Sequence, residues 1–169
     1  MASLIEELIS TLSEEKAIYE ELVPVARRKT QAIVDNNLDD VRNITEEEQE
    51  YVTRVQALEQ KRLTVMKNIG LVMNRKGTLK VSDVTEMLDK QPEQKKALTE
   101  IQMDLKKVLN ELGEVNGHNK VLIEQSLEMI SFNMNLLRST RIVPGNNYTR
   151  SAGQWDMTAS ETGMFDAKQ

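Results

Sequence analysis

The chain has no cysteine, which removes disulfides and thiolate metal sites and fits a reducing compartment. It has one histidine, His118, so a serine nucleophile has no convincing base to complete a triad. Glu114 stands four residues before His118 rather than in a Glu-x-x-His pair, and no second copy exists, so a di-iron bundle site is excluded and no cofactor is expected. Aromatic residues make up only 4% of the 169 residues, and there are three prolines and seven glycines. That scarcity argues against sheets and compact mixed folds. No apolar run approaches the roughly 18 residues of a membrane-spanning helix. Residues 1–12 carry two glutamates and neither lysine nor arginine, unlike a secretory signal. These two absences predict a cytoplasmic protein without membrane insertion. The formal charge is -5 and the basic residues are scattered, which disfavours nucleic acid. Phosphate-cradling glycine motifs and a calcium loop are missing, and Lys76-Gly77-Thr78 has its lysine and glycine in the wrong order. Nothing supports catalysis, and the chain is not expected to be an enzyme.

What remains is charge (29% of residues) and leucine, isoleucine, valine and methionine at helical spacing. Residues 92–137 read with a period of seven. One seam position is apolar throughout: Ile101, Val108, Val115, Leu122, Met129 and Leu136. Its partner is apolar at Leu98, Leu105 and Leu112, then polar at Asn119, Ser126 and Asn133. Unbroken 3-4 spacing predicts a long helix in a bundle or coiled coil. The polar second half predicts a face held partly available for something else. Gly113 and Gly117 each cost about 1 kcal/mol against alanine, and Asn116-Gly117 is an alternative turn. The seam keeps its phase across both glycines, which favours one continuous helix.

Earlier in the chain, Ser3 and Glu6 form a capping-box pattern, and Ile5, Leu8, Leu12, Tyr19, Leu22, Ala26 and Ile33 mark a first helix to about Asp35. Pro24 falls inside it. The apolar phase carries through, predicting a kink near residues 20–23, with a full break as the alternative. Asp35, Asn36 and Asn37 are turn formers. After a short helical turn at residues 38–43, Thr45 and Glu48 suggest a second capping box, opening a helix with Val52, Val55, Leu58, Arg62, Val65, Ile69 and Val72 on one face. Glu50 and Arg54 have the spacing of an outer ion pair, and Arg75, Lys76 and Gly77 suit a helix end. Ser82 or Asp83 can cap a short helix through Leu88, and Pro92 suits the first turn of the last long helix. The expected fold is therefore all-α, an antiparallel bundle of three long helices plus one short helix over residues 1–139. Residues 140–169 form a flexible C-terminal tail with Pro144, three glycines, and Tyr148, Trp155 and Phe165. Ordering about 30 residues costs roughly 1–2 kcal/mol each, so the tail stays disordered or orders on the bundle or a partner.

The late part of the last long helix is apolar over a wide arc. Leu122, Met129 and Leu136 lie on the seam, Ile123, Ile130 and Leu137 on its flank, and Leu127, Phe132 and Met134 further round. Two neighbouring helices need less than this, and methionine suits adaptable surfaces. Either the first helix covers the arc, or it is a groove for an amphipathic partner segment. Asn119, Ser126 and Asn133 fit the second alternative as hydrogen-bonding selectors, although a single polar seam residue can also fix register.

Residues 119–127 read Asn-Lys-Val-Leu-Ile-Glu-Gln-Ser-Leu, with Tyr148 and Gly153 following in the tail. With the turn at Asn36 to Asp39 and the run Glu46-Glu47-Glu48, this resembles the FlgN-type flagellar export chaperones. The resemblance implies an acidic cytoplasmic chaperone of hook-associated proteins (FlgK and FlgL type) that delivers them to the flagellar type III export apparatus. It also implies client binding by the C-terminal part, through Asn119, Leu122, Ile123, Ser126 and Leu127. A tail tyrosine of the Tyr148 kind would meet the FlhA-type export gate, with Trp155 and Phe165 as competing aromatics. The rival reading is a structural or scaffolding coiled coil that self-associates, and a weak homo-oligomer is compatible with either.

Overall fold

The structure is a computed structural model that describes residues 2–75, 77 and 79–140. The chain divides into two compact units, Met1–Phe132 and Asn133–Gln169. Among the described residues four helices occur in order: α1 (Ala2–Val34), α2 (Leu38–Val72), α3 (Val81–Met87) and α4 (Pro92–Thr140). The three long ones have 33, 35 and 49 residues, and α3 has seven. The architecture is the expected helical bundle, and α4 runs unbroken through Gly113 and Gly117.

Each of the first two long helices ends on an asparagine in the left-handed conformation, Asn36 (φ 53) and Asn74 (φ 51). At Asn36 the amides of Asn36 and Asn37 donate to the carbonyls of Ile33 and Ala32. At Asn74 those of Asn74 and Arg75 donate to Leu71 and Gly70. Both are Schellman closures, with asparagine replacing the usual glycine because its short polar side chain tolerates that region. Asn37 then caps α2, its Oδ1 accepting from the Asp40 amide at 3.2 Å. One short turn thus closes α1 and opens α2.

Several local expectations are corrected. Ser3 lies inside the first turn of α1 rather than at its cap. Because Asn37 already caps α2, Thr45 and Glu48 lie inside that helix. The Thr45 hydroxyl donates back to the Val41 carbonyl at 2.7 Å, and Glu48 accepts from Lys29 of α1. Arg54 pairs across to Glu21 at 3.5 Å and sits over the Tyr51 ring, rather than taking Glu50. The second helix stops at Val72, before the basic residues expected to close it, and Val72 itself is exposed. Lys80, not Ser82 or Asp83, is the N-cap of α3, and its amide donates to Asp83 Oδ2 at 2.8 Å. Pro24 does not break α1. Pro24 and Glu20 are both exposed, so the carbonyl that loses its amide partner lies on the solvent face.

In the first unit the core is one apolar cluster drawn from all four helices. Ile5, Leu8 and Leu12 of α1 meet Val65 and Ile69 of α2, Val84 and Leu88 of α3, and Leu98, Ile101, Leu105, Val108 and Leu112 of α4. Ion pairs set direction. Glu15–Arg62, Glu21–Arg54 and Lys29–Glu48 step down α2 as they step up α1, so those helices are antiparallel. Lys16–Asp104 and Arg27–Glu111 step up both α1 and α4, which are parallel. The path is up, down and up, with α3 in the return.

Candidate functional site

The register between α1 and α4 governs what α4 can bury. Thr30 meets Asn119 at an offset of 89 residues, and carrying that offset forward places the last residue of α1, Val34, beside Ile123. From there α4 has no further α1 turn to pack on. Burial follows. Leu98 is 0% exposed and Leu112 7%, whereas Met129 is 68% exposed and Phe132 67%. Leu122 and Ser126 are half-buried, and Val121, Ile123, Leu127 and Ile130 are exposed. In the second unit Met134, Leu136 and Leu137 are also large exposed apolar residues, and Asn133 is exposed. The apolar seam therefore continues in sequence after its coverage by α1 has ended.

The three polar seam positions have separate fates. Asn119 is 4% exposed. Its Nδ2 donates to the Ala26 carbonyl at 2.9 Å, and its Oδ1 accepts from the Thr30 hydroxyl at 2.5 Å. This asparagine serves the α1–α4 contact, which corrects the expectation that it faces an incoming partner. A buried amide must be paired, and here α1 supplies the pairing. The Ser126 hydroxyl donates to the Leu122 carbonyl at 2.9 Å, satisfying itself within its own helix as serine does. Asn133 alone of the three is exposed.

A groove of about 490 Å³ lined by α1, α2 and α4 opens between Leu22, Val52, Asn119 and Ile123. The Lys29–Glu48 pair, at 2.7 Å, forms part of its wall. Val52, expected in the core face of the second helix, is exposed here. Val121 was not among the residues singled out from the sequence. It lies off the seven-residue seam, but its exposure beside Met129 and Phe132 adds it to the surface. Tyr148, Trp155 and Phe165 lie outside the described residues.

Among the described residues no three histidine, aspartate or glutamate side chains converge on a metal position. His118 is exposed in a shallow hollow with Arg27, Thr30 and Glu114. No helix among the described residues is long and apolar enough to cross a membrane. The arrangement is chemically plain. It offers apolar area and helix-face hydrogen bonds, which suits binding an amphipathic segment.

No curated protein and no solved structure matches the chain. The family model described as FlgN protein matches residues 1–154, which takes in all four helices and part of the sequence beyond them. A helical bundle with that match over nearly its whole length belongs to the FlgN family, whose members are flagellar export chaperones rather than enzymes.

Proposed function

We propose that this chain is a cytoplasmic chaperone that holds an amphipathic terminal segment of hook-associated proteins of the FlgK and FlgL type. It keeps that segment from aggregating or polymerising and hands it to the export apparatus through an FlhA-type gate. The observation that carries the reading is the run of exposed apolar side chains on α4 from the level where α1 comes to its end: Val121, Ile123, Leu127, Met129, Ile130 and Phe132. Soluble monomers seldom leave so many large apolar side chains on one short stretch of helix uncovered. A segment whose own apolar stripe is a hazard in free form matches it, and each covers the other. Leu122 and Ser126 border the contact, with Asn133, Met134, Leu136 and Leu137 extending the docking residues along the sequence. Tyr148, Trp155 and Phe165 are assigned to client or gate contacts of the tail.

Titration calorimetry with the client's terminal segment tests this. Ile130→Asp combined with Phe132→Asp should weaken binding about tenfold or more while leaving thermal unfolding unchanged, because neither side chain is buried. Unchanged affinity rejects the site. Asn119→Ala supplies the contrast. It should lower stability by about 1–2 kcal/mol through its lost α1 hydrogen bonds and leave affinity within about twofold.

A further inference from the structure

The exposed stretch of α4 within the first unit carries two apolar stripes, and they do not face the same way. At 3.6 residues per turn, the apolar Val121, Met129 and Phe132 follow one line, spaced i, i+8 and i+11, with the polar Gln125 on the same line between them. Ile123, Leu127 and Ile130 follow another, spaced i, i+4 and i+7. The two lines lie roughly 170° apart around the helix axis. One neighbouring helix covers a stripe of about 100° or a little more, so no single helix reaches both. In the buried half of α4 the positions seven and fourteen residues before Val121 are Glu114 and Lys107, both exposed. That side holds one isolated exposed apolar residue there, Met103, which is 67% exposed, and becomes mainly apolar only as α1 comes to its end.

We infer that the occupant of this face is a pair of helices from one client, one on each stripe; this rests on the chaperone reading above and specifies its partner. The first client helix continues the bundle. It enters along the groove between Val52 and Ile123 and takes the Ile123, Leu127 and Ile130 stripe in the register α4 already uses. The second closes the opposite side over Val121, Met129 and Phe132. Of the two charges between Val121 and Phe132, Glu124 already pairs with Lys120 at 4.0 Å, which leaves the acidic Glu128 to favour a basic client edge. A second copy of this chain fits less well, because in a pair each α4 offers the other one helix and leaves a stripe in water.

The absence of cysteine makes the test clean. Single cysteines are introduced in the full-length protein as Gln125→Cys on the first stripe, Leu127→Cys on the second and, as a control remote from both, Thr99→Cys on the exposed face of the covered half of α4. Maleimide labelling rates are measured with and without a full-length hook-associated protein, and complex formation is followed separately by light scattering. The expected result is a fall in labelling of about tenfold or more at both Gln125→Cys and Leu127→Cys, with Thr99→Cys unchanged. Protection of one stripe only, in a formed complex, overturns the two-helix occupant and leaves the chaperone reading standing. Protection of neither stripe in a formed complex overturns both the inference and the site. Protection of both without client, with a mass above one chain, overturns the inference in favour of self-association.

Discussion

Glu15 is held between α1 and α2 with its side chain only 3% exposed, Oε2 accepting from Arg62 Nη1 at 3.1 Å and Oε1 buried without a partner. Burial pushes its carboxyl above the ordinary carboxylate range, Arg62 pulls it back, and Glu59 pushes it up again. Tyr19 is raised too, chiefly by burial and then by the Glu15 charge. An acid whose folded pKa is raised favours folding most when protonated. The Glu15 contribution is therefore fully present below its ordinary value of 4.5 and is lost as pH rises through the raised value. Glu15→Met should accordingly stabilise the protein by about 1–2 kcal/mol at pH 7–8, with the gain shrinking toward pH 4.5. Urea denaturation at several pH values checks this, and a loss of stability at pH 8 would mean that the Arg62 pair outweighs the burial. The sequence placed Arg62 on the apolar face of its helix but did not find its partner. Glu15 reads as one more solvated glutamate until α2 is laid across it. Asn119 likewise stood out by period, while its bonds to Ala26 and Thr30 depend on contacts across some 90 residues.

At the scale of the element, most helices were legible because their signals are local. Seam periodicity, Pro92 at the start of α4 and the asparagine turn after α1 all act within a few residues. The Thr45 box failed for a local reason as well: Asn37 offers an earlier cap, and the turn at residues 38–43 simply continues into α2. Gly113 and Gly117 did not interrupt α4, and an added Cβ at either meets nothing within 4 Å. Their substitution by alanine should add about 0.5–1 kcal/mol each without altering client affinity, measured by thermal unfolding alongside calorimetry. Reduced affinity in those variants would show that the soft point itself takes part in binding.

For the molecule as a whole, the division is between sequence that the bundle consumes and sequence that it leaves over. Removal of residues 141–169 should leave helicity and melting unchanged and weaken client binding about tenfold or more, as loss of an aromatic anchor does. Unchanged affinity in calorimetry would confine binding to α4. The amino-acid sequence by itself determined the all-helical class, the phase of the α4 seam and the absence of a triad or paired metal ligands, because period, caps and missing residue types act without reference to distant chain. Only the tertiary structure decided which seam residues are covered. Coverage depends on where α1 ends against α4, and that register is set by contacts such as Lys16–Asp104 and Thr30–Asn119 between residues nearly 90 positions apart.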